Sequence, residues 1–180
     1  MTQKEALALL EAGHSLLLTG AAGTGKTYIL SEFVRRSRRR GKNVAITATT
    51  GLAATHLNGT TIHAWSGIGI RDEVDKQHAK NLSKQRQDLI RKADILIIDE
   101  ISMLHDFRLD MVDTITRVVR EADEPFGGLQ VVMSGDFFQL PPVNRGSRAG
   151  GFVVGSNVWN DDFFTVAYLE QQYRQADDQD

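Results

Sequence analysis

Eight residues near the start of the chain combine glycines, a lysine and a hydroxyl at a spacing suited to phosphate binding. The segment Gly20-Ala21-Ala22-Gly23-Thr24-Gly25-Lys26-Thr27 fits G-x-x-x-x-G-K-[ST] at every fixed position. Glycines let successive backbone N–H groups point at phosphate oxygens, and the helix that follows adds its positive dipole end. Lys26 would then reach the β- and γ-phosphates, and the Thr27 hydroxyl would ligate Mg²⁺. The segment predicts a nucleotide site; the alternative is a glycine turn without a ligand.

Two carboxylates follow an apolar segment about 70 residues further along the chain. Ile95-Leu96-Ile97-Ile98 predicts a strand that is buried on both faces, and Asp99 and Glu100 come directly after it. In a protein with a phosphate loop, this pair predicts that Asp99 holds Mg²⁺ through water. Glu100 is then expected to orient and deprotonate the attacking water.

A region rich in hydroxyls and glycine follows the second predicted strand. It covers residues 48–54 and 59–69 and includes His63 and Trp65. Open α/β sheets bind ligands beyond the carboxyl ends of their strands, where hydroxyls, N–H groups and aromatic rings suit phosphates and bases. The region predicts either a nucleic-acid contact or an ordinary loop with a core tryptophan and a hydrogen-bonded histidine. The residues alone leave both interpretations open.

Two more polar side chains follow predicted strands. Gln139 comes after the strand at 130–134, and Arg174 comes after the strand at 163–169. Gln139 would sense the γ-phosphate through a hydrogen bond, or it is a turn former. Arg174 would contact the γ-phosphate, to which a guanidinium fork is well matched, or it lies on the surface.

The elements that must position these residues alternate between strands and helices. Thr2 and Glu5 have the spacing of a capping box at the start of the first helix. The alternation predicts an α/β fold with a mainly parallel five-stranded sheet and right-handed crossovers. One domain is expected over residues 1–175, with a polar tail at 176–180. The predicted strands lie at about 16–19, 44–47, 95–98, 130–134 and 163–169, and the main helices at 3–12, 26–40 and 106–121.

Composition restricts the class of protein. The 180 residues are 41% hydrophobic and 24% charged, with no cysteine and a formal net charge of −2. Disulfides and cysteine–zinc sites are therefore excluded. No apolar segment approaches the roughly 18 residues of a membrane helix, and the first residues do not form a signal peptide, so a soluble cytosolic protein is expected. The arginine-rich segment 35–40 is explained more simply by a helix C-terminus than by a DNA patch.

Taken in order, these motifs resemble those of superfamily 1 helicases of the Pif1 type. The resemblance covers nearly the whole chain and rests on segments 20–27, 47–54 with 60–69, 97–104, 134–143 and 169–175. Thr-Ile-His at 61–63 and Phe-Phe-Gln-Leu-Pro-Pro at 137–142 favour the Pif1 type over the similar RecD-like helicases. The resemblance implies a RecA-like P-loop NTPase fold, which is a three-layer αβα sandwich.

The resemblance also implies a role for particular residues. For ATP and Mg²⁺, the matching positions are Gln3 for adenine, Lys26 for the phosphates, Thr27 and Asp99 for the metal, Glu100 for the base, Gln139 for coupling the γ-phosphate to DNA, and Arg174 for the γ-phosphate. For single-stranded DNA, the matching positions are Thr49, Thr50, Gly51 and His63.

At the level of function, the resemblance implies an ATP-driven motor that moves 5′ to 3′ on single-stranded DNA and unwinds forked duplexes in genome maintenance. Such a protein is expected at cellular DNA, in the cytoplasm of a bacterium or in a nucleus or mitochondrion. The family has two RecA-like domains, and the sequence ends before the motifs of the second. The chain alone is therefore expected to be monomeric, to hydrolyse ATP slowly and not to unwind DNA. The alternatives are a nucleotide-binding switch without catalysis and another ATPase, RecD-like or AAA-type.

Overall fold

The computed structural model describes residues 1–136, 150–159 and 162–170, and within them six strands form a single sheet. The strand order is β3-β2-β4-β5-β1-β6, and every neighbouring pair is parallel. The predicted α/β class and parallel sheet are confirmed. The strands are β1 Ser15–Gly20, β2 Val44–Ala48, β3 Thr60–Thr61, β4 Ile95–Asp99, β5 Gln130–Ser134 and β6 Phe164–Leu169.

The sixth strand corrects the prediction of five. The extra strand is β3, which pairs with the end of β2 through Thr47↔Thr60 and Ala48↔Thr61. Two residues are too few to show an alternating pattern, so the sequence does not predict a strand here. A Cβ at Gly59 would overlap the carbonyl of Ile46, which shows how closely this edge approaches β2.

The helices begin and end close to the predicted residues. The helices predicted at 3–12, 26–40 and 106–121 are observed with ends that differ by two residues at most. The polar segment at 72–92 forms two short helices, in which Ile90 is fully buried. The helices are α1 Gln3–Glu11, α2 Lys26–Arg39, α3 Gly51–His56, α4 Ile62–Ser66, α5 Lys76–Lys80, α6 Lys84–Lys92 and α7 Asp106–Val119, and single 3₁₀ turns cover Ile101–Met103, Pro125–Gly128 and Val153–Gly155.

Two hydrophobic cores lie on opposite faces of the sheet. On β1, Leu16 and Leu18 pack into one core with residues of α1 and α2, whereas Leu17 packs into the other with residues of α4, α6 and α7. On β4, Ile97 and Ile98 divide in the same way. Successive side chains of a strand point to opposite faces, so a continuous apolar strand supplies both cores. Helices on both faces of one sheet make the three-layer αβα arrangement that the resemblance implies.

Three arginines at the end of α2, Arg35, Arg36 and Arg40, pair with acidic side chains of α1 and α2. Arg36 donates to Glu32 at 2.8 Å and to Glu11 of α1 at 3.2 Å, and Arg35 is also ion-paired with Glu32. These contacts lie at the end of α2 remote from Lys26. These ion pairs favour a structural role for the arginines at the C-terminal end of α2 over a DNA-binding patch.

A membrane-spanning helix is not found in the described ranges 1–136, 150–159 and 162–170, where none is both long and apolar enough to cross a bilayer.

Candidate nucleotide and nucleic-acid site

The strand order brings three sets of polar residues to one edge of the sheet. β1 lies beside β5, which lies beside β4, and all three run in the same direction. Their carboxyl ends therefore present the glycine loop, the segment after Ser134, and the Asp99-Glu100 pair side by side. Chain segments more than a hundred residues apart in sequence become neighbours at this edge.

The loop at 20–25 curls around the Lys26 side chain. The Lys26 ammonium donates to the carbonyl oxygens of Gly20 at 2.7 Å and Ala21 at 3.0 Å. The Thr24 hydroxyl also donates to Ala21 O, at 2.8 Å, and this side chain is buried. A lysine held in this way places its charge inside the concave face of the loop. Thr27, in contrast, is exposed in the first turn of α2.

Gly20 and Gly25 show why the backbone of this loop depends on glycine. Gly25 has φ +88°, a left-handed conformation that L side chains rarely adopt, and α2 begins at the next residue. At Gly20, a Cβ would lie 2.7 Å from Leu169 O of the neighbouring strand β6. The first glycine therefore allows close packing in the sheet, and the second allows the turn into the helix.

Helix α1 holds Gln3 against this loop. The Thr2 side chain caps the helix by accepting from Glu5 N at 3.1 Å, and Glu5 accepts from Thr2 N at 2.8 Å, as the capping-box spacing predicted. The Gln3 amide donates to Thr24 O at 3.2 Å, and a Cβ at Gly25 would overlap it. Gln3 thus lies beside the phosphate loop, although its assignment to adenine stays a prediction.

The carboxylate of Asp99 is largely buried at the end of β4. Burial raises the pKa of Asp99, while hydrogen bonds from Glu100 N–H and the Ser134 hydroxyl and the nearby charge of Lys26 act in the opposite direction. Ser134 is buried at the end of β5 and was not singled out from the sequence. A buried carboxylate with two donors has a fixed orientation, which suits a metal ligand.

Glu100 has an unusual backbone and a perturbed carboxyl group. Its φ of +55° and ψ of +44° are left-handed. Burial raises the pKa of Glu100, the negative charges of Asp99 and Asp136 raise it further, and Lys26 opposes them. A carboxylate with a raised pKa is a stronger base, which is the property that water activation needs.

The residues after β2 contact this carboxylate pair through the backbone. Thr49 N donates to Asp99 O at 3.2 Å, and the Thr49 hydroxyl donates to Glu100 O at 2.8 Å. Thr50 caps α3 by accepting from Ala53 N at 3.2 Å, and Gly51 is the exposed first residue of that helix. The sequence showed no sign of the link to Glu100, because the two residues that it joins are 51 positions apart.

The aromatic residues of the hydroxyl-rich region have different environments. Trp65 is 7% exposed and belongs to the hydrophobic core, so the core alternative is confirmed for it and a base-stacking role is wrong. His63 is half-buried. Burial lowers the pKa of His63, and the positive charges of Arg108 and His105 lower it further. A histidine that stays neutral can stack on a base or share a hydrogen bond, but it does not supply a cation.

Gln139 and Arg174 lie outside the described residues, as does the tail at 176–180. Their roles stay predictions.

Comparison with known proteins agrees with this geometry. A family model described as PIF1-like helicase matches residues 2–180. A curated relative, the ATP-dependent DNA helicase Pif1 of Psychrobacter sp. (strain PRwf-1), is 50% identical over 179 residues, which cover 97% of this chain and 27% of that protein.

Two solved structures have the same fold. The crystal structure of Pif1 helicase from Candida albicans superposes with a TM-score of 0.87 at 35% identity, over 96% of this chain and 40% of that one. Bacteroides Pif1 in complex with ADP-AlF3 and single-stranded DNA gives 0.83 at 34% identity, over 98% of this chain and 43% of that one. The chain therefore spans about a quarter of the curated relative's length and about two fifths of these solved chains.

Proposed function

Because the chain belongs to the PIF1-like helicase family, we propose that it is the first motor domain of an ATP-dependent DNA helicase. The whole protein would move 5′ to 3′ on single-stranded DNA and unwind forked duplexes in genome maintenance. It would act as a monomer, at the site of cellular DNA. The observation that carries the proposal is the arrangement of one lysine and two carboxylates at the carboxyl ends of β1 and β4, which lie on either side of β5 in the sheet.

The nucleotide would be held mainly by the phosphate loop. Backbone N–H groups of residues 20–25 and the N-terminal end of α2 suit phosphate oxygens, and Lys26 supplies a positive charge at the same place. Gln3 lies against the loop through Thr24 O, where it can reach a bound base. The role of Gln3 in adenine recognition rests on this proximity and on the family.

The oxygen ligands at the site fit Mg²⁺. The Thr27 hydroxyl is exposed, and the Asp99 carboxylate is oriented by Ser134 and by Glu100 N–H. Mg²⁺ prefers such oxygen ligands and keeps several waters. When bound with ATP, it would neutralise charge that develops on the phosphates.

Hydrolysis requires a base, and Glu100 fits that role. Its carboxylate would orient a water and take its proton while Lys26 stabilises the phosphates. The raised pKa of Glu100, caused by burial and by the Asp99 and Asp136 charges, favours proton uptake. In the same proposal, Gln139 and Arg174 contact the γ-phosphate, as their matching positions do in the family.

Single-stranded DNA would bind beyond the ends of β2 and β3. Thr50, Gly51 and His63 lie in this region, on α3 and α4 or next to them. The solved Bacteroides Pif1 complex contains single-stranded DNA together with ADP-AlF3, which supports the binding of both ligands by a protein of this family. The resemblance also matches Thr49 to this DNA contact, but the Thr49 hydroxyl already donates to Glu100 O.

A second RecA-like domain would complete the site from its other side. An arginine finger of the kind supplied by such a domain is worth about 10³–10⁵ in rate. The chain by itself is therefore expected to bind Mg-ATP and to hydrolyse it slowly.

The test is ATP turnover with and without single-stranded DNA in wild-type, Lys26→Ala and Glu100→Gln proteins. We expect DNA to stimulate the wild type, Lys26→Ala to lose nucleotide binding and turnover, and Glu100→Gln to keep nucleotide binding but lose turnover. If hydrolysis survives in Glu100→Gln, Glu100 is not the base. Binding of Mg-ATP without turnover in the full-length wild type would indicate a nucleotide switch, and ATP-dependent rings without DNA stimulation would indicate an AAA-type ATPase.

A further inference from the structure

Thr49 is bonded to the backbone of both candidate catalytic carboxylates. Its N–H donates to Asp99 O at 3.2 Å, and its hydroxyl donates to Glu100 O at 2.8 Å. We propose that Thr49 is a positioning residue that holds Glu100 in its working orientation, and that it is not a DNA ligand. This inference rests on the proposed role of Glu100 in ATP hydrolysis.

The conformation of Glu100 is one that needs support. A left-handed backbone costs an L residue roughly 1–2 kcal/mol, and glutamate lacks the short polar side chain with which Asn or Asp can hydrogen-bond locally in this conformation. Here Glu100 O accepts from both the Thr49 hydroxyl and Met103 N, the latter at 3.2 Å, and Glu100 N–H donates to the Asp99 carboxylate. Of these three bonds, only the one from Thr49 comes from outside the local segment. It therefore fixes the turn to the neighbouring strand β2.

Thr49 and Thr50 differ in whether the hydroxyl hydrogen is already used in a hydrogen bond within the protein. A threonine hydroxyl has one hydrogen to donate, and the Thr49 hydroxyl donates it to Glu100 O. A DNA phosphate accepts hydrogen bonds only, so Thr49 cannot donate to it without releasing Glu100. The Thr50 hydroxyl accepts from Ala53 N, and that bond leaves its hydrogen available for a phosphate. One residue would thus face the nucleic acid while its neighbour holds the base.

This arrangement gives a short path between the two ligands. Thr50 and Thr49 are adjacent, and Thr49 is one hydrogen bond from Glu100. A movement of the backbone at Thr50 is transmitted to the Glu100 carbonyl without passing through a hydrophobic core. Such a connection would let DNA binding at Thr50 affect the position of Glu100.

The test compares Thr49→Val, Thr49→Ser and Thr55→Val in the full-length protein. Valine keeps the branched shape but removes the hydroxyl, serine keeps the hydroxyl, and Thr55 is an exposed threonine on α3 whose hydroxyl donates to Gly51 O at 2.9 Å. We expect Thr49→Val to lower kcat for ATP about tenfold at saturating single-stranded DNA, as loss of orientation of one reacting group does. The KM for ATP and the Kd for single-stranded DNA should stay unchanged, Thr49→Ser should restore most of kcat, and Thr55→Val should behave as wild type.

Amide hydrogen exchange gives a readout that does not depend on turnover. In the nucleotide-free protein, Thr49→Val should speed exchange at Met103, whose amide bonds to the Glu100 carbonyl, and Thr55→Val should not. A weaker Kd for single-stranded DNA with unchanged kcat at saturation would make Thr49 a DNA ligand and overturn the inference. Unchanged kcat together with unchanged exchange would also overturn it. Wild-type turnover at the level of Lys26→Ala would instead refute the proposed function, and exchange would still decide whether Thr49 holds the turn.

Discussion

Glu100 combines two features that oppose folding, a left-handed backbone and a carboxylate that is partly removed from water. Its φ is +55°, and burial together with the Asp99 and Asp136 charges raises its pKa. The result is a carboxylate of raised pKa at the same end of the sheet as the phosphate loop. Functional sites commonly retain such local costs, because the chemistry requires them.

Glu100→Gln should therefore stabilise the protein at neutral pH. A carboxyl whose folded pKa is raised binds its proton more tightly in the folded state, so its favourable contribution is complete below the unfolded value near 4.5 and is lost as pH rises through the folded pKa. Glutamine removes this loss. Thermal unfolding should show a higher Tm for Glu100→Gln at pH 7 and no difference at pH 4.

Glu121→Gln is the matched control for that experiment. Glu121 also has a left-handed backbone, with φ +53°, but it is exposed. Its replacement should leave Tm unchanged at both pH values. An equal gain in both variants would assign the effect to the glutamine itself and not to the buried charge.

Ser102, in the turn after Glu100, should tolerate alanine better than Ser15 does. Ser102 is fully buried, and its hydroxyl has no hydrogen-bond partner within the part of the chain that the structure describes. The buried Ser15 hydroxyl accepts from Val131 N at 3.0 Å, so Ser15→Ala leaves that N–H unpaired, at a cost of about 1–3 kcal/mol. Denaturant unfolding should show Ser102→Ala to be neutral or stabilising. A loss as large as that of Ser15→Ala would mean that Ser102 has a partner elsewhere in the protein.

At the scale of elements, the short helix α1 acts as a support for the phosphate loop. Its capping box fixes where the helix begins, and Gln3 in the first turn bonds to Thr24 O. The same side chain occupies the space beside Gly25. The loop is therefore shaped by contacts with α1 as well as by its own glycines.

Gly25→Ala should destabilise the protein more than Gly41→Ala. Both glycines have φ near +80°, at +88° and +79°, so both variants carry the left-handed penalty of about 1–2 kcal/mol. Only at Gly25 would the new Cβ also overlap the Gln3 amide, whereas nothing lies within 4 Å at Gly41. Denaturant unfolding should show the larger loss for Gly25→Ala, and adding Gln3→Ala should recover the difference. Equal losses of stability in the two variants would mean that the Gln3 side chain does not restrict the space beside Gly25.

At the scale of the whole molecule, the strand order assembles the site. β4, β5 and β1 are consecutive in the sheet although other elements separate them in sequence. Their parallel direction places Asp99, Ser134 and the phosphate loop at one edge. In the proposed function, a second motor domain would contact ATP that is bound at these carboxyl ends.

DNA-stimulated ATP turnover should be far greater in the full-length protein than in residues 1–180. The isolated chain holds the phosphate loop and both carboxylates, but a second domain would add the arginine that is worth about 10³–10⁵ in rate. Steady-state turnover and strand separation measure this, with Lys26→Ala as the blank for both proteins. We expect residues 1–180 to bind Mg-ATP with slow turnover and no unwinding. Equal turnover in the two proteins would refute the need for a second domain.

Much of the site follows from local sequence. The glycine loop, the capping box at Thr2 and the strand that ends at Asp99 each depend on residues within a few positions of one another. Backbone conformation and strand burial are set over such short distances, so these predictions agree with the structure. The parallel α/β class follows from the alternation of apolar strands with amphipathic helices.

Tertiary structure decided the features that join distant segments. The strand at 60–61 exists only because β2 pairs with it, and Trp65 is buried because two layers close over it. The Gln3 contact spans 21 positions and the Thr49 bond to Glu100 spans 51. No local pattern encodes such pairs, since they arise when strand order brings separate chain ends together. The sequence by itself determined which groups can do chemistry, and packing decided which of them hold one another in place.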